Sequence, residues 1–107
     1  MLFDVRTYDC KPNSLPQHLA LYERLGKPVQ TKHLGQPLAF MTCESGNPNQ
    51  YVHIWIYQNA ADREAKRAAL AADPDWIAYR AESAKLGALL TQENKLMNPV
   101  SFFSMPK

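Results

Sequence analysis

The segment Tyr51-Val52-His53-Ile54-Trp55-Ile56-Tyr57 alternates rings and aliphatic side chains without a break. Successive residues of an extended strand point to opposite faces of a sheet. Val52, Ile54 and Ile56 therefore share one face, and Tyr51, His53, Trp55 and Tyr57 share the other. Both rows are too apolar to be left in water, so the strand needs cover on each side. A chain that contains it has to be built in layers around a sheet.

The flanking sequence supplies the layers. Leu2 to Tyr8 also alternates, with Phe3, Val5 and Thr7 opposite Asp4, Arg6 and Tyr8, and reads as a first strand. After the Lys11-Pro12-Asn13 break, Ser14-Leu15-Pro16-Gln17 has the form of a capping box, the Ser14 hydroxyl accepting from the amide of Gln17 while Gln17 reaches back. The spacing of Leu15, Leu19, Tyr22 and Leu25 predicts a helix over 15–25, stopped by Gly26 and Pro28. Residues 27–36 read as a connection. A second alternating run, Leu38 to Glu44, joins the Tyr51–Tyr57 strand as a hairpin through Ser45-Gly46-Asn47-Pro48-Asn49.

Asn59 caps an alanine-rich helix that runs to Ala72, supported by the Asp62/Lys66 and Glu64/Arg67 pairs. Asp73-Pro74 restarts the helix, with Trp76, Tyr79, Ser83, Leu86 and Leu90 on one side, and Asn98-Pro99 ends it. Val100 to Met105 reads as the last strand. The order β-α-β-β-α-β is that of the ferredoxin-like plait. The expected fold is thus α+β, an antiparallel four-stranded sheet with both helices on one face, in a single domain over residues 1–107.

A chain of 107 residues suffices for one core and not for two. Its 12 Lys and Arg are interspersed with 10 Asp and Glu, leaving a net charge of +2 and no basic stripe for nucleic acid. No apolar run approaches the ~20 residues of a membrane helix, and Asp4 and Arg6 interrupt the start, so neither a signal peptide nor membrane insertion is expected and the location reads as cytoplasmic. Cys10 and Cys43 lack CxxC or Cys/His spacing, which argues for free thiols and against a metal site. The four glycines form no phosphate loop, and no cofactor is expected.

If the helices cover the face carrying Val5, Ile54 and Ile56, then Tyr8, Tyr51, Trp55 and Tyr57 are left bare. At about 150 Å² per ring, such a patch is at the upper limit of what monomers expose. Pairing with a second copy about a two-fold axis would bury it, so a homodimer is expected. Asp4, Arg6, Thr42, Glu44 and His53 share that orientation, and the paired sheets would enclose a polar and aromatic cavity suited to a small-molecule ligand.

Four segments carry a family resemblance: Val5-Arg6-Thr7-Tyr8 with Lys11-Pro12; Asn49-Gln50-Tyr51-Val52-His53-Ile54-Trp55-Ile56-Tyr57 followed by Asp62-Arg63; Asp73-Pro74-Asp75-Trp76 with Tyr79; and Gln92-Glu93-Asn94. In this order, and over nearly the whole chain, they resemble the NIPSNAP family. The resemblance implies a dimeric α/β barrel built from ferredoxin-like plaits, and it implies no general reaction. Other dimeric barrels include cofactor-free monooxygenases, lactone isomerases and haem-degrading enzymes, an analogy of fold alone.

Within the expected cavity His53 is the candidate general base, since an unperturbed imidazole titrates near neutrality. The plainer reading is a core histidine bonded to a neighbour such as Glu44. Glu44 is itself a second candidate proton acceptor if buried, or else an exposed strand end. Arg6 suits a planar anion, or an internal ion pair with Asp4. Tyr8, Trp55 and Tyr57 form a ligand wall or pack the dimer, and His33 lines the cavity mouth or is a solvated loop residue. Trp76 and Tyr79 read as packing, Arg63, Lys66 and Arg67 as a solvated helix face, and His18 as exposed helix surface. Two functions follow. One is a homodimeric protein binding a small molecule or partner in the cavity. The other is a cofactor-independent enzyme, of isomerase or monooxygenase type, in which Arg6 holds a small organic acid or aromatic substrate and His53 or Glu44 moves a proton.

Overall fold

The computed structural model describes residues 1–106. Strands β1 (Leu2–Cys10), β2 (Ala39–Thr42), β3 (Gln50–Tyr57) and β4 (Leu89–Met97) form a four-stranded sheet in the order β2-β3-β1-β4. Each neighbouring pair is antiparallel. Helices α1 (Leu15–Leu21), α2 (Lys27–Leu34), α3 (Ala60–Ala72) and α4 (Pro74–Leu86) fill the two crossovers. This is the ferredoxin-like α+β plait, an open sheet not closed into a barrel within the chain.

The covered face is the reverse of the expected one. Tyr51, His53, Trp55 and Tyr57 are buried, while Val52, Ile54 and Ile56 are only partly covered. The reason is volume. Helix α3 is alanine-rich, so the space between it and the sheet is filled from the sheet side, and Trp55 and Tyr57 meet Val29, Leu34 and Leu70 there. Two of the rings find polar partners inside: the Trp55 indole N–H donates to His53 Nδ1 at 2.7 Å, and His18 Nε2 and the Tyr51 hydroxyl share a 2.7 Å hydrogen bond, while the buried Tyr57 hydroxyl has none among the described residues. His18 is accordingly buried, not a surface residue. The aliphatic row is what the chain leaves open.

Two helix ends also differ from expectation. The first helix passes through Gly26 as one π-helical turn, Tyr22–Gly26, and continues as α2 to Leu34, so residues 27–34 are helix. Pro28 follows the π turn directly, at the start of α2, where the backbone hydrogen-bond ladder has already shifted register at Lys27 N–H to Tyr22 O. Gly26 has helical torsions and is small for a packing reason: a Cβ there would lie 2.8 Å from Tyr22 Cδ1 and 3.1 Å from the Tyr79 ring. At the start of α1 no capping box forms, because the Ser14 hydroxyl donates to the Lys11 carbonyl instead. The Asn59 cap does form, its side chain accepting from the Asp62 amide while Asp62 accepts from the Gln58 amide.

Helix α4 ends at Leu86, with Gly87 left-handed at φ 66°. Leu90 therefore belongs to the last strand, which is Leu89–Met97 rather than 100–105. Residues 100–105 are turn and irregular chain, and Phe103 sets its ring edge-on to Phe3 at 6.1 Å.

Candidate functional site

The sheet register builds one polar wall. Asp4 is opposite Trp55, Arg6 opposite His53 and Tyr8 opposite Tyr51 across β1 and β3, and β4 adds Asn94 and Gln92 beside Arg6 and Tyr8. On the other flank β2 sets Phe40 opposite His53. Residues directly opposite in an antiparallel pair share a face, so this wall looks toward the helices. Between the two layers lies a cavity of about 380 Å³. Its rings come from Tyr8, Tyr22, Phe40, Tyr51, Trp76 and Tyr79, and its polar groups from Arg6, Gln30, His53, Arg67, Arg80 and Gln92.

Each polar group is held differently. Arg6 donates from Nε to the Tyr8 hydroxyl at 2.9 Å and from an η nitrogen to Asp4 at 3.1 Å, while Asp4, fully buried, also takes Arg63 at 3.1 Å. Arg6 is thus both an internal ion pair and part of the cavity wall. The Tyr22 hydroxyl donates to Gln30 Oε1 across the π turn. Burial raises the phenols of Tyr22 and Tyr51, and pushes Tyr79 up to about 12, so all three stay protonated at neutral pH.

His53 is 3% exposed, stacked on Phe40 and edge-on to Tyr8, both at 4.8 Å. Burial, then the nearby Arg6 charge, pushes its pKa down to about 3, so the ring is neutral. An indole N–H can only donate. The Trp55 contact therefore fixes Nδ1 as the acceptor and puts the proton on Nε2, which has no hydrogen-bond partner among the described residues.

The NIPSNAP family model matches residues 3–104. This chain belongs to the NIPSNAP family. It is similar to NipSnap homolog 3B of Mus musculus, 35% identical over 75 residues that make up 69% of this chain and 30% of that protein. NipSnap homolog 3A of Homo sapiens is 31% identical over 77 residues, 71% of this chain and again 30% of the relative. The match thus spans under a third of the length of either curated relative. Among solved structures, protein Atu4242 from Agrobacterium tumefaciens superposes with a TM-score of 0.87 at 34% identity, covering 95% of this chain and 96% of its own. An uncharacterized NIPSNAP domain protein from Burkholderia xenovorans gives 0.89 at 30% identity, covering 98% and 100%. An antibiotic biosynthesis monooxygenase superposes at 0.64 over 94% of this chain and 99% of its own, but at 19% identity it shares the fold alone.

In this NIPSNAP chain the sequence-predicted residues divide. His53, Arg6 and Tyr8 meet in the cavity, which lies inside one chain and not between two sheets. Trp55 and Tyr57 are core residues behind it, Trp55 acting through His53. Glu44 is exposed in the turn after β2. His33 is on α2, 2.8 Å from Asp73 at the junction of α3 and α4, away from the cavity. Arg67, Arg80, Gln30 and Gln92 were not singled out as site residues. The signal for Arg67 was its place one turn before buried Leu70 on the inner side of α3, where a purely solvated residue would not sit. Among the described residues no three His, Cys, Asp or Glu side chains are grouped to hold a metal ion, and no helix is long and apolar enough to cross a membrane.

Proposed function

We propose that this NIPSNAP-family chain binds a small molecule in the cavity between its own sheet and helices, and that two chains pair through the opposite, aliphatic face of the sheet. One observation carries the binding role: the buried Nε2–H of His53, on the cavity wall, has no hydrogen-bond partner among the described residues. Leaving such a donor unsatisfied costs about 1–3 kcal/mol, an expense that a bound acceptor removes. The cavity volume is in the range of small-molecule sites, with aromatic walls and a few convergent polar groups.

The lining supports binding over proton abstraction. No carboxylate lines the cavity among the described residues. Glu44 stands outside, and both nitrogens of His53 are committed, one accepting and one protonated. The reduced thiols of Cys10 and Cys43 suit a reducing compartment, and the cytoplasm is the inferred location.

Amide NMR with a small aromatic fragment set of phenol, indole and benzoate tests the binding role. Binding in the cavity shifts Gly87 and Gln92 at its rim, and Ala84→Trp, which fills the opening from an exposed helical position, abolishes those shifts. Shifts confined to the separate groove of Leu19, Lys27 and Pro37, or none at all, would remove the reading.

A further inference from the structure

Building on the binding role given to the cavity, we propose that its ligand is a planar organic anion, of the aromatic carboxylate or enolate class, that accepts the Nε2–H of His53 and is held by Arg67 and Arg80.

The sign of the ligand follows from a count of donors against acceptors. The Tyr22 hydroxyl is spent on Gln30, and the Tyr51 hydroxyl on His18. Arg6 is spent on Asp4 and Tyr8. What remains unspent on the cavity lining, among the described residues, is donor-rich: the Nε2–H of His53, and the guanidiniums of Arg67 and Arg80, neither of which has an acidic partner within ion-pair distance. The two other buried polar atoms without a partner, His18 Nδ1 and the Tyr57 hydroxyl, belong to residues outside that lining. A cation would meet three guanidiniums and no carboxylate on this lining. A neutral ligand would leave the charge of half-buried Arg67 unanswered, with exposed Arg80 at the rim answered by water alone. An anion answers both, and guanidiniums bind planar oxyanions by paired hydrogen bonds.

The rings set the shape. Phe40 and Tyr51 lie nearly parallel at 5.5 Å, and both stack on the imidazole of His53. With Tyr8 edge-on to the same imidazole, the wall around the free N–H is flat and apolar. An aromatic or conjugated anion matches such a wall better than a compact tetrahedral one.

Trp55 is a positioning residue here. Its indole N–H blocks the Nδ1 proton and so aims a donor, not a base, at the ligand. His53 then acts by polarising an oxygen, the role of an electrophilic hydrogen bond, and takes up no proton.

Long-range ¹H–¹⁵N spectra of the histidine-labelled, unliganded protein test the donor, and titration with benzoate, benzamide and benzamidine tests the charge. The expected spectrum shows His53 protonated at Nε2 alone at neutral pH, and Trp55→Phe gives a mixture of tautomers. Benzoate shifts that N–H and binds about tenfold more tightly than benzamide, since hydrogen bonds to charged groups are the stronger ones, and benzamidine does not bind. Arg80→Gln, at an exposed position, closes the gap between benzoate and benzamide. His53 protonated at Nδ1, or benzamidine binding as tightly as benzoate, overturns the anion site and leaves the binding role standing. Failure of all three probes to bind removes both.

Discussion

Burying an imidazole among like charges makes it a reporter of pH. The ring of His53 is held at a pKa of about 3 by burial first and by Arg6 and Arg67 after it, with Asp4 opposing. In the unfolded chain the same group titrates near 6.5. The unfolded state therefore binds more protons between these values, and the stability that the neutral ring supports is complete above about pH 6.5 and lost as pH falls toward 3. At about pH 4 the loss amounts to roughly 3 kcal/mol, at 1.36 kcal/mol per unit. His53→Phe keeps a ring against Phe40 and Tyr8 but has no proton to gain. Urea unfolding at a series of pH values should show the wild type losing stability faster than the variant below about pH 6.5, although the variant starts lower because the Trp55 N–H loses its acceptor. His18, whose pKa burial also lowers, is present in both and cancels from the difference. Parallel profiles would mean that the imidazole is solvated.

The first helix shows what an element can conceal from its sequence. Gly26 followed by Pro28 is the pattern of a helix end, yet the chain runs on to Leu34. The π turn opens the backbone hydrogen bonds just before the proline and lets Tyr22 and Gln30 face each other at the cavity. Gly26 is required by the rings on either side of it, a tertiary fact that no local pattern records. Alanine normally gains about 1 kcal/mol over glycine in a helix. At Gly26 that gain is outweighed by overpacking of about 1–3 kcal/mol, because Tyr22 is pinned by Phe40 and Gln30 and cannot retreat. Gly26→Ala should therefore lower Tm by several degrees, and thermal denaturation showing an unchanged or raised Tm would free the Tyr22 ring from this constraint. The elements that were legible in sequence were those with strong local signals: β1 and β3 by alternation, α3 by its Asn59 cap, α4 by Asp73-Pro74. Strand β4 was not, since eight of its nine residues are exposed and an edge with no buried face has no alternation to read. The site was legible in His53, Arg6 and Tyr8 because one strand pairing brings them together. Helix residues that reach it from the far layer, Arg67 and Arg80, depended on which face the helices choose, and β-branched residues resemble core more than tyrosines do.

At the scale of the whole molecule the chain is a slab. Its extents are 41 × 36 × 23 Å and its radius of gyration is 14.5 Å, above the roughly 13 Å of a compact domain near this length. One sheet and one helical layer make up that thickness, and the outer sheet face keeps Phe3, Val5, Val52, Ile54 and Ile56 partly uncovered, with Met41 47% and Met97 51% exposed beside them. On the same face Asp9 and Gln50 lie at one end and Glu93 and Lys95 along the β4 edge, giving an apolar centre with a polar rim. In the proposed pairing, a second copy laid on this face about a two-fold axis would cover the centre of both sheets at once. Ile54 is the test position, because it stands opposite Val5 on one side and Ala39 on the other, in the middle of the patch and remote from the cavity. If the chains pair as proposed, Ile54→Glu would bring two like charges together across the axis, and sedimentation should find a wild-type dimer and a monomeric variant with unchanged far-UV circular dichroism. Tyr8→Glu, a change on the opposite, helix-facing side of β1, should leave the pairing intact. A wild type that sediments as a monomer at micromolar concentration would leave the aliphatic face hydrated, and the thin slab would then have to be stable without its second half.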